Sequence, residues 1–203
     1  MNKIEVIAVG MFAANCYLLW HDEHVLIVDP GSKSPRIQEM IDSQNGHVDG
    51  IYLTHGHFDH IAGVDVLVKK YHCPVYMNEL DRPLLKDPNL NFSADTMNPI
   101  TIQSTVNGLT PGYHTIGSFR FLLIDAPGHS EGSSLMIWEH HMLCGDVIFA
   151  GSIGRTDLLS GSNTKMYQTL EMVKQLDPSY DIYPGHGETT TLLRELQTNP
   201  YLN

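Results

Sequence analysis

The chain is short of cysteine, of cationic side chains and of long apolar runs. Its three cysteines, Cys16, Cys73 and Cys144, cannot form a closed disulfide set among 203 residues. They read as reduced thiols, which points to the cytoplasm rather than to a disulfide-stapled secreted protein. Lys and Arg number 12 against 23 Asp and Glu, a formal charge of −11. An acidic surface repels phosphate backbones and anionic lipid heads, so no nucleic-acid partner and no membrane partner is expected. No apolar run approaches the roughly 20 residues that a spanning helix needs. The N-terminal stretch MNKIEVIAVGMFAANCYLLW lacks a compact apolar block followed by a small-residue cleavage site. It reads as two strands around a turn near Gly10, not as a signal peptide. Low-complexity tracts, fixed-period repeats and Pro/Ser linkers are missing too. Apolar residues at 42% and charged ones at 17% exclude a disordered or coiled-coil chain. One domain spanning 1–203 is the expectation.

Local patterns suggest strands over residues 4–9, 16–20 and 24–28, the last ending at Asp29-Pro30-Gly31. Ser34 is placed to cap a helix that opens on Pro35, with Ile37, Met40 and Ile41 on its buried stripe. A short buried strand is expected over 50–54, a helix over 64–71, a strand over 74–77 and a short helix over 79–86. Residues 87–99 read as loop. Further strands are expected near 115–116, 119–125, 134–138 and 142–144. An amphipathic helix starts at Asn163 with Met166, Leu170 and Val173 on one face, then a strand over 181–183 and a last helix over 189–197. Interleaving of this kind supports a mixed α and β sheet core with helices outside.

What the chain has in excess is histidine, with 12 residues. Residues 55–60 read His-Gly-His-Phe-Asp-His, an H-x-H-x-D-H pattern that this composition rarely produces by chance. His55 and His57, two apart at a strand end, can point the same way, and Gly56 lets the backbone turn between them. Asp59 and His60 come round on the next turn. Four donors in six residues exceed what one tetrahedral catalytic ion needs. Four more segments suit the same purpose: Pro-Gly-His129-Ser, Gly145-Asp146, Pro-Gly-His186-Gly and Asp29, each at a predicted strand end with glycine nearby. Asp29 is assigned to orienting a ligand histidine, against the plainer reading of a turn residue. His21, His24, His47, His72, His114, His140 and His141 lack ligand-like context and read as surface or structural.

The motifs THGHFDH, PGHS, GD and PGHG, in this order and spacing, resemble those of the metallo-β-lactamase-fold hydrolases. The resemblance covers essentially the whole chain, including Asn15-Cys16-Tyr17, Val28-Asp29-Pro30-Gly31 and Asn199-Pro200-Tyr201. Within that superfamily the chain looks most like the short glyoxalase II-like branch, whose loop GSIGRTDL is matched at residues 151–158. The resemblance implies an α+β fold, the four-layer αβ/βα sandwich, with two divalent metal ions. His55, His57 and His129 would hold the first ion, Asp59, His60 and His186 the second, and Asp146 would bridge them. Zinc is the expected metal, and iron or manganese suits the same donors. The common β-lactamases carry cysteine where this chain has Asp146, which argues against antibiotic hydrolysis. Full-length glyoxalase II adds a C-terminal helical domain with cationic contacts to glutathione, and this sequence stops soon after His186. Arg155 and Asp157 stand near the positions of a glyoxalase II lysine and aromatic. Arg155 is thus a candidate to pair with a substrate carboxylate, weighed against a solvated loop arginine.

The expected reaction is hydrolysis of a small thioester, such as the 2-hydroxyacyl thioester S-lactoylglutathione, or of a related ester. A metal-bridging hydroxide would attack, with Asp59 both binding metal and orienting the nucleophile. A thiol of pKa about 8.5 leaves as thiolate without a strong general acid, and no such acid is visible beside the motifs. A persulfide dioxygenase with one iron on His55, His129 and Asp146 is the main rival. A nuclease or phosphodiesterase is opposed by the low Lys and Arg content, and a non-catalytic scaffold by the intact donor set. The expected partner is a small molecule, and the oligomeric state is not legible.

Overall fold

Strands that are apolar on both faces demand cover on both sides, and several strands of this chain are of that kind. In a computed structural model describing residues 2–203, they build two six-stranded sheets. The first contains β1 (Asn2–Val9), β2 (Ala14–His21), β3 (His24–Val28), β4 (His47–Leu53), β5 (Val75–Asn78) and β6 (Val106–Leu109), in that spatial order. β1 to β3 are antiparallel, whereas β3 to β6 run parallel. The second sheet contains β7 (Gly112–Ile116), β8 (Phe119–Asp125), β9 (Ser134–Trp138) and β10 (His141–Gly145). After a small ribbon of β11 (Ile148–Phe149) and β12 (Ser152–Ile153), β13 (Asp181–Pro184) and β14 (Thr190–Thr191) complete it, in the order β14-β13-β10-β9-β8-β7.

Period-2 alternation sorts the side chains into layers. Tyr17, Leu19, Leu26, Val28 and Tyr52 face Phe119, Phe121, Met136 and Leu143 between the sheets. Their neighbours Leu18, Trp20, Val25, Ile27, Ile51 and Leu53 face outward, against Ile37 and Ile41 of α1 (Pro35–Ser43) and Val64 and Leu67 of α3 (Val64–Tyr71). On the far side, Leu135, Ile137, Met142 and Ile182 pack on α4 (Asn163–Val173) and α5 (Leu192–Thr198). The result is the expected αβ/βα four-layer sandwich.

Ser34 caps α1 as expected, its hydroxyl accepting from Arg36 N, although Met40 is only half-buried. Short elements were the ones sequence patterns missed: β6, the β11–β12 ribbon, β14, and the single turn α2 (Phe58–Ile61). The predicted helix over 189–197 begins instead as β14, because Thr190 pairs with Ile182 and the Thr191 side chain caps α5 at Arg194 N. The predicted strand over 50–54 starts earlier, at His47. Among the described residues no helix is long and apolar enough to cross a membrane.

Polar stitches join the sheets at the edge where the motif loops emerge. The Tyr52 and Ser134 hydroxyls share a 2.7 Å hydrogen bond, Ser134 Oγ donates to Thr54 O, and Tyr17 Oη donates to Pro184 O at 2.7 Å. Asn15 Nδ2 donates to the carbonyls of Pro184 and Gly187. With these groups buried and paired, the loops are held against a rigid frame. Leu26 lies fully buried between the sheets. Leu26→Ala is expected to lower the unfolding free energy by about 2–5 kcal/mol. Urea denaturation checks this, and a loss much smaller than that range would mean that the inter-sheet layer collapses around the cavity.

Candidate metal centre

Every motif residue follows a strand that ends on one edge of the sandwich. β3 delivers Asp29, β4 the 55–60 segment, β8 His129, β10 Asp146 and β13 His186. Glycines permit the crowding. A Cβ on Gly31 would lie 1.5 Å from the Asp59 carbonyl oxygen, and one on Gly185 would lie 2.1 Å from Asp146 Oδ1.

The structure brings all seven expected ligands together. Donor atoms of His55, His57 and His129 lie within 4.8 Å of one another, and so do those of Asp59, His60 and His186. Asp146 stands between the groups. Its Oδ1 is 3.5 Å from His60 Nε2, while Oδ2 is 3.5 Å from His129 Nε2 and 3.6 Å from His186 Nε2. His57 Nδ1 is 2.8 Å from His129 Nε2, and His186 Nε2 is 3.3 Å from Asp59 Oδ2.

The far side of each ring decides which nitrogen is free, since a carbonyl or carboxylate can only accept. His60 Nδ1 donates to Asp29 Oδ2 at 3.0 Å, His129 Nδ1 to Arg155 O at 2.9 Å and His186 Nδ1 to Phe12 O at 3.1 Å. Thr54 Oγ1 donates to Asp29 Oδ2 at 2.6 Å and so accepts from His55 Nδ1 at 3.1 Å. Four rings are thereby oriented with Nδ1 engaged and Nε2 aimed inward, the direction that metal-binding histidines require. Asp29 contacts His60 directly and reaches His55 through Thr54.

Charge within the cluster is divided unevenly. Burial, reinforced by the neighbouring imidazoles His60 and His57, pushes His55 well below the ordinary histidine value, and burial with His129 and His60 does the same to His57. Burial also opposes charge on His60, but Asp146, Asp59 and Asp29 outweigh it and hold His60 up at about 10. Burial likewise works against an ionised Asp59, yet His60 and His186 keep its carboxyl well below the usual carboxylate range. Nε2 of His55, His57 and His60 and Oδ1 of Asp146 are buried with no hydrogen-bond partner. Converging buried polar atoms without partners are costly, and cations that displace the His60 proton would satisfy them. Two imidazole-rich triads sharing a carboxylate fit a pair of divalent ions.

A cleft of about 580 Å³ opens over this cluster. Met11, Phe12, Phe58, Phe92, Met97 and Leu158 give it apolar walls, with Asp59, Asp95, Asp146 and Arg155 as charged members. Arg155 reaches the cleft, but its Nε and Nη2 donate to both Asp157 oxygens at 2.8 and 2.9 Å, so the pair is neutral. Cys144 is fully buried and burial pushes its thiol up to about 12, which fits an inert space-filling role.

The motif loops, the sandwich and the double cluster define a metal-binding fold of one kind. The chain belongs to the metallo-beta-lactamase superfamily, whose family model matches residues 9–186. It is 34% identical over 200 residues to the probable metallo-hydrolase YqgX of Bacillus subtilis, covering 96% of this chain and 95% of that protein. It is 31% identical over 210 residues to the hydroxyacylglutathione hydrolase GloC of Haemophilus influenzae, covering 99% and 98%. Among solved structures, the BLEG-1 B3 metallo-beta-lactamase superposes with a TM-score of 0.92 at 33% identity, covering 98% of this chain and 99% of that one. TTHA1623 in a di-iron-bound form gives 0.89 at 31%, covering 98% and 100%. The chain is accordingly a member of a metal-dependent hydrolase superfamily.

Sequence patterns did not find Asp81. It is buried in the 3-10 turn Glu79–Leu85 and accepts from Gly56 N at 3.0 Å, Ser130 Oγ at 2.6 Å and Gly132 N at 2.6 Å. It thereby ties the loop of His55 and His57 to the loop of His129. No local signal marks it, since its partners lie 25 to 51 residues away. Two groupings among the remaining histidines depend on the fold and are not marked in the sequence. His24 and His47 converge with Asp49, and His140 and His141 with Glu139.

Two outcomes are expected. Because His60 is held protonated at neutral pH and a coordinating imidazole must be neutral, zinc loading at pH 7 should release a proton. Calorimetry in buffers of different ionisation enthalpy would read it, and binding heats independent of buffer would refute it. Asp81→Asn should weaken metal affinity about 10–100-fold, as loss of an outer support does. Chelator competition measures this, and unchanged affinity would show that the tie is dispensable.

Proposed function

We propose that this chain is a dinuclear metal-dependent hydrolase of a small 2-hydroxyacyl thioester such as S-lactoylglutathione, or of a related ester. The observation that carries the reading is the pair of three-donor clusters sharing Asp146 at the floor of an open cleft. His55, His57 and His129 would hold one ion, Asp59, His60 and His186 the other, and zinc is the metal we assign. When bound, such ions supply a hydroxide near neutral pH and polarise a carbonyl.

The chain's own groups account for the rest. Asp59, ionised and half-facing the cleft, accepts a hydrogen bond from an attacking water and orients it. The apolar walls take the acyl and thiol stems and exclude bulk water. Among the described residues no lysine lines the cleft, and the arginine there is paired. A thiolate leaving group, of parent pKa about 8.5, needs no acid there. Similarity to a protein named as a hydroxyacylglutathione hydrolase supports the substrate class. The three buried thiols fit a reducing, cytoplasmic setting. The acidic surface suits a small-molecule substrate rather than nucleic acid or membrane, and residues 1–203 act as one hydrolase domain.

The test is thiol release from S-lactoylglutathione by the zinc-loaded protein, with and without oxygen, beside a persulfide and a β-lactam. Oxygen-independent thiol release supports the proposal. Inert thioesters together with oxygen uptake on the persulfide by iron-loaded protein would replace it with the dioxygenase. Turnover of the β-lactam alone would align the chain with BLEG-1. Arg155→Ala should raise KM for anionic thioesters several-fold and spare neutral esters, while Asp157→Asn, which frees the guanidinium, should lower that KM. Equal effects on both substrate types would show that Arg155 does not read substrate charge.

A further inference from the structure

A second gathering of metal-binding side chains lies at the far end of the first sheet. β3 and β4 run parallel and end at Asp29 and the 55–60 segment, so their first residues sit at the opposite pole. At about 3.3 Å per residue, His47 is roughly 20 Å or more from the metal centre. His24 and His47 are register partners there, with ring centroids 5.2 Å apart and planes at 82°.

Asp49 is brought to them by three separate devices. β4 carries a bulge, since Val25 pairs with Val48 but Leu26 pairs with Gly50, and Asp49 is the extra residue. Bulges re-aim side chains in this way. Gly117, at φ +52°, leaves the room: a Cβ there would lie 2.1 Å from Asp49 Oδ2. Ser118 N then donates to Oδ2 at 2.6 Å. The carboxylate is only 4% exposed, and its Oδ1 faces both imidazoles, 2.7 Å from His24 Nδ1 and 3.7 Å from His47 Nε2. The second distance is too long for a hydrogen bond. It is close to the separation of about 3.3 Å between donors that share an ion at 2.0–2.1 Å. One donor atom from each of the three residues lies within 4.8 Å of the others. The imidazoles are 34% and 69% exposed, so an ion reaches them from solvent and water can complete its shell.

We propose that His24, His47 and Asp49 form a peripheral site for a divalent transition-metal ion of the zinc class, separate from the catalytic pair. Two imidazole nitrogens, one seated carboxylate and open water positions match that ion's needs. An ion there fastens β3 to β4 and, through Asp49 and Ser118, to the β7–β8 turn of the second sheet. Binding to the folded state alone stabilises it by mass action.

The experiment is equilibrium dialysis of the full chain against micromolar free zinc, with metal counted per chain in wild type and His47→Ala. His47 makes no hydrogen bond to Asp49, so the variant keeps the His24–Asp49 pair and its fold. The expected result is one zinc fewer per chain in the variant, with thioester turnover unchanged. An anomalous-scattering peak between His24, His47 and Asp49 in zinc-soaked wild-type crystals is expected as well. Equal zinc content in the two proteins, or an anomalous map with no peak there, overturns the site.

Discussion

One buried carboxylate organises the catalytic edge. Asp29 accepts from Thr54 N through Oδ1, and from Thr54 Oγ1 and His60 Nδ1 through Oδ2. It is almost fully buried and its backbone sits at φ +51°, a conformation that costs a non-glycine residue. The expense is tolerable because these hydrogen bonds serve several ends. They set the ring orientations of His60 and, through Thr54, of His55, and they fasten the end of β3 to the end of β4. Without that carboxylate the two histidines would keep their positions in the chain but not their directions.

The candidate site was legible in the sequence because its chemistry is written locally. His55, His57, Asp59 and His60 lie within six residues, and His129, Asp146 and His186 each announce themselves beside glycine at a strand end. The layers were legible for the same reason, through alternation in strands such as β2 and β3. What escaped depends on register and distance. Asp81 works through the backbone of Gly56 and Gly132, groups that every residue possesses and no pattern distinguishes. His24, His47 and Asp49 meet only because two parallel strands align in one register and one of them bulges. β14 is two residues long, and its threonines mark it neither as strand nor as helix.

The sandwich explains why one edge can bear so dense a site. Each sheet is covered on both faces, so the strands contribute stability along their lengths and leave their ends free for loops. The buried bonds of Tyr17, Tyr52, Asn15 and Ser134 stop the sheets from sliding at the edge where the donors emerge. Holding metal-binding imidazoles to within about 0.5 Å calls for a rigid frame of this kind rather than loops alone.

Two of the metal-facing histidines are anchored not to the frame but to the rim of the cleft. His129 leans on the carbonyl of Arg155, and His186 on the carbonyl of Phe12. Arg155 and Phe12 also line the cleft that opens over the cluster. With ions and a ligand bound, their affinities would be coupled through two shared backbone segments. By thermodynamic reciprocity, the factor by which a bound ligand would raise ion affinity equals the factor by which bound ions would raise ligand affinity. Bound ions would then order the mouth of the cleft as well as its floor.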